Sequence, residues 1–120
     1  MKTLALAFIF LTAYGIENDK SDDKKTYYYY CKSRPWDMST VTGKAEFKYT
    51  KITKVEANDN DLTVLTKEWA NYMKANCNYG KCTSDFNYYY SFEQASQRQN
   101  AMLNDPENLN KFNFVEVDFK

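Results

Sequence analysis

Three residues have the types and spacing of a metal-dependent hydrolytic site. Asp37 is followed by Glu46-x-Lys48, with Glu46 and Lys48 on one face of a predicted strand, and an acid ahead of Glu-x-Lys is typical of nuclease metal sites. Two carboxylates would hold Mg²⁺ and the lysine would assist phosphate chemistry. Acid-x-Lys triplets also arise by chance in a chain rich in both residue types, and this chain has four. The alternative function is therefore a small metal-dependent hydrolase. The simpler interpretation of the same residues is that they form the solvated face of a strand.

The absence of histidine excludes the catalytic sites that depend on imidazole. Without imidazole there is no Ser-His-Asp or Cys-His pair, no usual catalytic zinc site and no histidine general base. Cys31 lies in a tyrosine-rich predicted strand, which favours a structural role over a nucleophilic one. We therefore expect a noncatalytic protein that requires no metal and no cofactor.

Cysteine spacing predicts one disulfide. Cys77 and Cys82 are separated by Asn-Tyr-Gly-Lys, a turn-like spacer in which Gly80 can adopt the positive φ of a tight reversal. We expect Cys77 and Cys82 to be bridged. Cys31 is then left over, as a buried small side chain, as a partner for another chain, or as a sign that the pairing is different.

Aromatic side chains provide the other candidate for function. The chain has 11 Tyr, 8 Phe and 2 Trp, and four of the tyrosines are consecutive, at 27–30. Successive strand residues point to opposite faces, so a sheet covered on one face leaves some of these rings exposed. The predicted binding surface is Tyr28, Tyr30, Arg34 and Trp36, and exposed Tyr and Trp suit a protein or a cell-wall glycan partner. The alternative is that these rings only cover a small hydrophobic core.

The N-terminus has the pattern of a secretory signal peptide at residues 1–15. Lys2 precedes an apolar run at 4–11, and small residues at Ala13 and Gly15 allow cleavage after Gly15 or, as a second choice, after Ala13. The apolar run is too short to span a bilayer, which takes about 20 residues. We therefore expect a secreted or periplasmic protein with no stable membrane insertion after cleavage.

The remainder divides into a short linker and one domain. Residues 16–25 are almost entirely polar and are predicted to be a disordered linker, and 26–120 is long enough for a single small domain. The formal net charge of zero gives no bulk field that would attract nucleic acid. A protein or a peptidoglycan-type glycan is therefore the expected partner, and nucleic acid is not.

Periodicity predicts the elements that must position these residues. Their order is β-β-α-β-α-β, which suits an α+β fold with a mainly antiparallel sheet and two helices on one face. The predicted elements are strands at 27–32 and 43–55, a helix beginning just after Asp61, a strand at 86–90, a helix beginning at Ser91 and ended by Pro106, and a strand at 112–119.

The last unit of the chain has a further resemblance. A strand leads into Ser91-Phe92-x-x-Ala95, then a helix and a closing strand, and this part is similar to one half of a peptidoglycan-binding SPOR domain. The resemblance is confined to that unit, because the overall element order differs. It bears on the structural class and implies no site residues.

Overall fold

The computed structural model describes residues 23–120, so the predicted signal peptide and most of the predicted linker lie outside the described residues. The first strand begins at Lys25, one residue before the predicted start of the domain. The elements in chain order are β1 (Lys25–Ser33), β2 (Ala45–Tyr49), β3 (Thr53–Ala57), α1 (Asp59–Asn76), β4 (Asp85–Tyr89), α2 (Phe92–Asn104), α3 (Pro106–Lys111) and β5 (Phe112–Glu116). In this described part, no helix is both long and apolar enough to cross a membrane.

Strand β1 is the centre of the sheet. One edge of β1 pairs antiparallel with β4, and the other edge pairs antiparallel with β3 and then with β2. Strand β2 pairs in turn with β5, and this pair is parallel, with Ala45 opposite Phe112. The predicted α+β class is confirmed, and the one parallel pair arises because α3 delivers the chain to the edge at which β2 begins.

A bulge divides the predicted second strand into β2 and β3. Tyr29 pairs with Thr53 and Lys32 with Tyr49, so two residues of β1 lie opposite three residues at 50–52. Thr50 closes the gap: its N–H donates to the Cys31 carbonyl (3.0 Å) and its Oγ1 accepts from the Cys31 N–H (2.9 Å). The threonine hydroxyl thus satisfies a buried backbone donor that the interrupted ladder would otherwise leave unpaired.

The two longer helices pack on opposite faces of the sheet, and the prediction that both lie on one face is wrong. Tyr29 and Cys31 of β1 pack against Trp69 of α1, whereas the intervening Tyr30 belongs to a separate cluster with Met102 of α2. Because neighbouring strand residues point to opposite faces, these two clusters cannot share one face. The tyrosine run therefore contributes side chains to two separate hydrophobic cores, one on each face of the sheet.

Helix starts are defined by side-chain caps. Helix α1 begins at Asp59 rather than after Asp61, because Asn58 is the N-cap and exchanges reciprocal bonds with Asp61: Oδ1 of Asn58 accepts the Asp61 N–H (2.8 Å), and Oδ2 of Asp61 accepts the Asn58 N–H (3.0 Å). Ser91, at the predicted start of the helix, is the N-cap of α2, and its Oγ accepts the Gln94 N–H at 3.1 Å.

A third helix, α3, was not predicted. Helix α2 does end before Pro106, but Pro106 also occupies the first turn of α3, where its fixed φ is favourable and its missing N–H costs nothing. Asp105 caps this helix through a bond of 2.9 Å from the Glu107 N–H to Oδ1. The proline therefore both ends one helix and begins the next.

Candidate functional site: the Trp36 surface

The most exposed tryptophan of the described chain lies just beyond the end of β1. Trp36 is 62% exposed, while its neighbour Pro35 is fully buried and forms an isolated bridge with Cys82. The Trp36 N–H donates to the Lys81 carbonyl (2.9 Å), and the Thr83 N–H donates to the Arg34 carbonyl (2.8 Å). The indole is thus exposed to solvent, and the backbone that carries it is hydrogen-bonded at the residues before and after the buried proline.

The strand-like pair under Trp36 is anchored by the predicted disulfide. Cys77 and Cys82 are joined, and Gly80 in the loop between them has φ of 81°, the left-handed conformation that glycine tolerates. The loop is also tied to β2, because the Glu46 N–H donates to Tyr79 Oη at 2.9 Å. A covalent link and these hydrogen bonds therefore hold the segment that supports Trp36.

Two cations flank the exposed indole. The Lys81 ammonium lies 4.7 Å from the centroid of the Trp36 ring. Arg34 lies two residues before Trp36, on the other side of the buried Pro35, and is also exposed. Within residues 23–120 neither the Arg34 guanidinium nor the Lys81 ammonium has an acidic partner. We call Arg34, Trp36 and Lys81 the Trp36 surface, and it is aromatic and positively charged.

The predicted binding residues have separate locations. Arg34 and Trp36 are exposed, as a binding surface requires, but Tyr30 is only 3% exposed and stacks on Tyr89 in the core (6.0 Å between centroids). Tyr28 is half-buried, with its ring 6.2 Å from Phe92. Tyr30 cannot contact a partner, because α2 covers the face that a one-sided sheet would have left open.

A second group of exposed rings lies at the end of β4 and just after it. Tyr88, Tyr90 and Phe92 are 45%, 69% and 56% exposed, and the first two pack on the buried ring of Tyr27 at 5.3 and 5.5 Å between centroids. Sequence reasoning placed these residues in a strand and at a helix start without identifying them as exposed. Their exposure follows from the position of β4 at the edge of the sheet, which the sequence pattern did not reveal.

The residues of the alternative hydrolase do not assemble into a metal site. Asp37 accepts the Ser39 N–H (2.9 Å), a bond that lowers the pKa of its exposed carboxyl. Glu46 instead accepts from Asn78 (3.1 Å) and lies 3.9 Å from the Lys48 ammonium. Across residues 23–120 no group of three Cys, Asp or Glu side chains is arranged to hold a metal ion.

The leftover Cys31 is free and completely buried. Burial raises the pKa of its thiol to about 12, against which a hydrogen bond from Thr50 acts only partly. A thiol with so high a pKa is a poor nucleophile at neutral pH. The position is therefore structural, in the core between β1 and α1.

We expect stability to fall at alkaline pH. Desolvation raises the pKa of Cys31 to about 12 and also raises those of Tyr29 and Tyr30, so the folded state holds these protons more tightly than the unfolded chain. The stabilisation is complete below about pH 9, the ordinary value for the thiol, and is lost as pH rises toward 12. The urea midpoint, followed from pH 7 to 11, should decline above pH 9, and a smaller decline is expected for Cys31→Ala. A constant midpoint up to pH 11 would contradict this prediction.

Removal of the disulfide should cost only moderate stability. In the chain-entropy account, a loop as short as that between Cys77 and Cys82 contributes about 2 kcal/mol. The double substitution Cys77→Ser and Cys82→Ser should therefore lower the urea-derived free energy of unfolding by that amount and leave a folded domain. Thiol titration of the denatured, unreduced wild type should find one free cysteine, Cys31. More than one free thiol would show that the bridge is not formed.

The chain matches no protein-family model, and no curated protein or solved structure is significantly similar to it.

Proposed function

We propose that this chain is an exported, noncatalytic domain that binds a protein partner through the Trp36 surface. The observation that carries the proposal is the 62% exposed indole of Trp36 on a backbone held by Pro35, Lys81 and the disulfide loop. Tryptophan and arginine are the residue types that dominate binding energy at protein interfaces. A side chain presented on a rigid backbone binds with less loss of conformational entropy than one on a mobile loop.

Export is supported by two independent features. The N-terminal residues have the charge, apolar run and small residues of a signal peptide. The Cys77–Cys82 disulfide is of a kind that persists in oxidising compartments and is rare in the reducing cytosol. A secreted or periplasmic location is therefore part of the proposal.

A cell-wall glycan is the second candidate partner, and it is favoured by a different surface. Tyr88 of the edge strand β4 and Tyr90 just after it present exposed rings that both pack on Tyr27. Tyrosine rings are apolar in body and polar at the tip, which suits sugar rings. This candidate differs from the first in the residues on which binding depends.

The first experiment is a comparison of Trp36→Ala with wild type as bait for proteins of the native secreted or periplasmic fraction. The protein captured by wild type is purified, and its affinity for both baits is measured by calorimetry. We expect Trp36→Ala to weaken binding at least about 30-fold, the effect of removing an interface hot spot of 2 kcal/mol. Its thermal midpoint should stay close to wild type, because an exposed side chain contributes little to the core.

The matched control is the double variant Tyr88→Ala and Tyr90→Ala, which removes exposed rings at the other surface. It should bind the captured protein as wild type does. Pelleting with insoluble peptidoglycan that falls in this double variant but not in Trp36→Ala would assign function to the glycan candidate instead. Equal protein binding by Trp36→Ala and wild type would refute the proposed function.

A further inference from the structure

The Trp36 surface borders a cavity with an uncompensated positive charge. This cavity has a volume of about 210 Å³ and is lined by Arg34, Met38, Glu107, Asn108, Lys111 and Phe112. Glu107 and Lys111 are an ion pair at 3.3 Å within α3, so their charges largely cancel. Arg34 is the remaining charged group in the lining, and its guanidinium has no acidic partner within residues 23–120.

The backbone N–H and carbonyl of Arg34 are both hydrogen-bonded, whereas its guanidinium has no acidic partner within residues 23–120. Its N–H donates to Thr83 Oγ1 (3.1 Å) and its carbonyl accepts the Thr83 N–H (2.8 Å). The guanidinium therefore extends from a fixed backbone, with its planar set of donors available to a ligand. Such a fork matches the two oxygens of a carboxylate, which it can bind through two parallel hydrogen bonds.

We infer that the partner of the Trp36 surface presents an acidic peptide segment, in which a carboxylate binds Arg34 and an adjacent apolar side chain covers Trp36. This inference rests on the proposed function and specifies the chemistry of its partner. Arg34 and Trp36 are both exposed and are two residues apart, so their Cα atoms lie at most about 7 Å from each other. That separation suits neighbouring side chains of a bound peptide. The Lys81 ammonium above the indole adds a second positive charge for the same segment.

Neutral residues in the cavity restrict what else can bind. Met38 and Phe112 form an apolar part of the lining, and the Asn108 amide is already engaged, donating to the Met102 carbonyl at 3.0 Å. Most of the exposed lining is polar, and Arg34 is the one charged donor in it that lacks an acidic partner within residues 23–120. A carboxylate is the group that such a guanidinium binds through two parallel hydrogen bonds.

The test is a nuclear magnetic resonance titration of the ¹⁵N-labelled protein with two capped tripeptide amides, N-acetyl-Glu-Phe-Glu and its neutral counterpart N-acetyl-Gln-Phe-Gln. The signals to follow are the Arg34 Nε–H and the Trp36 Nε1–H. We expect both to shift with the glutamate peptide, about tenfold more weakly with the glutamine peptide, and less at 0.5 M NaCl because salt screens exposed charges. Equal response to both peptides, or no response to either, would overturn the inference.

The chain offers a matched control because it contains only two arginines, Arg34 and Arg98. Arg34→Gln should abolish the preference for the glutamate peptide, whereas Arg98→Gln, an identical substitution of an exposed residue on α2, should retain it. Loss of preference in both variants would point to overall charge and refute a site at Arg34. A trigalacturonate that shifts the same signals as strongly as the glutamate peptide would overturn the peptide as the source of the carboxylate.

These results are independent of the search for a native partner. If the captured protein depends on Trp36 but binds Arg34→Gln and wild type equally, the proposed function stands and the acidic-segment inference fails. If no captured protein depends on Trp36 but the glutamate peptide binds at Arg34, carboxylate recognition stands and the proposed function fails.

Discussion

Trp69→Ala is expected to lower the free energy of unfolding by about 3–5 kcal/mol, the usual cost of truncating a buried tryptophan. Trp69 is fully buried, and the centroid of its ring lies 5.5 Å from that of Tyr72 and 5.4 Å from that of Phe119. Its Nε1–H also donates to the Lys32 carbonyl at 3.2 Å, so truncation leaves both a cavity and a lost hydrogen bond. Since small domains are stable by only about 5–15 kcal/mol, this variant should be close to unfolding.

The measurement is urea denaturation followed by far-ultraviolet circular dichroism, in which the backbone amides rather than the removed indole dominate the signal. Trp69→Phe keeps most of the apolar volume and should lose markedly less than Trp69→Ala. Trp36→Ala removes the same side chain from an exposed position and should be nearly neutral. A loss below about 1 kcal/mol for Trp69→Ala would show that α1 is not packed on the sheet as described.

Phe47→Ala should be similarly damaging from the other face of the sheet. Phe47 is 4% exposed, and its ring lies 5.1 Å from Phe112 and 4.9 Å from Phe114, in the cluster that Met102 of α2 covers. Loss of a buried phenylalanine at such a site costs about 3–5 kcal/mol. Urea denaturation measures it, and Phe47→Leu, which keeps an apolar side chain, should lose less.

The two cores can be shown to be separate with a double-mutant cycle of the milder variants. Trp69→Phe and Phe47→Leu lie in clusters on opposite faces of the sheet, so their effects should add to within about 0.5 kcal/mol. Coupling well above that value would mean that the two rings share one core, as a sheet with both helices on one face would require.

Features that depend on a few neighbouring residues were predictable from the sequence. The Cys77–Cys82 bridge was predicted from a short, turn-like spacer in which Gly80 can adopt the positive φ of a tight reversal. The cap at Ser91 follows from a hydroxyl placed three residues before a backbone N–H that has no partner inside the helix. Both depend on residues that are close in sequence, so local reasoning was enough to predict them.

Features that depend on how elements pack were not predictable. The bulge at 50–52 preserves the alternation within each strand segment, so the periodicity predicts one continuous strand where the structure has two. Proline can end one helix or begin the next. The sequence does not show that Pro106 does both, whereas the structure does. The face on which α2 packs is set by the crossing of the chain between β4 and β5, which no residue pattern specifies.

The candidate site illustrates the same division. The sequence alone determined that histidine-based catalysis is excluded, that Cys77 and Cys82 can close a loop, and that more aromatic rings are present than a one-sided sheet can cover. Only the tertiary structure decided which rings are covered: α2 buries Tyr30, while Trp36 remains exposed beside the disulfide loop and Trp69 is enclosed between α1 and the sheet. The physical reason is that the burial of a side chain depends on which elements pack over it, and the residue type alone does not specify that.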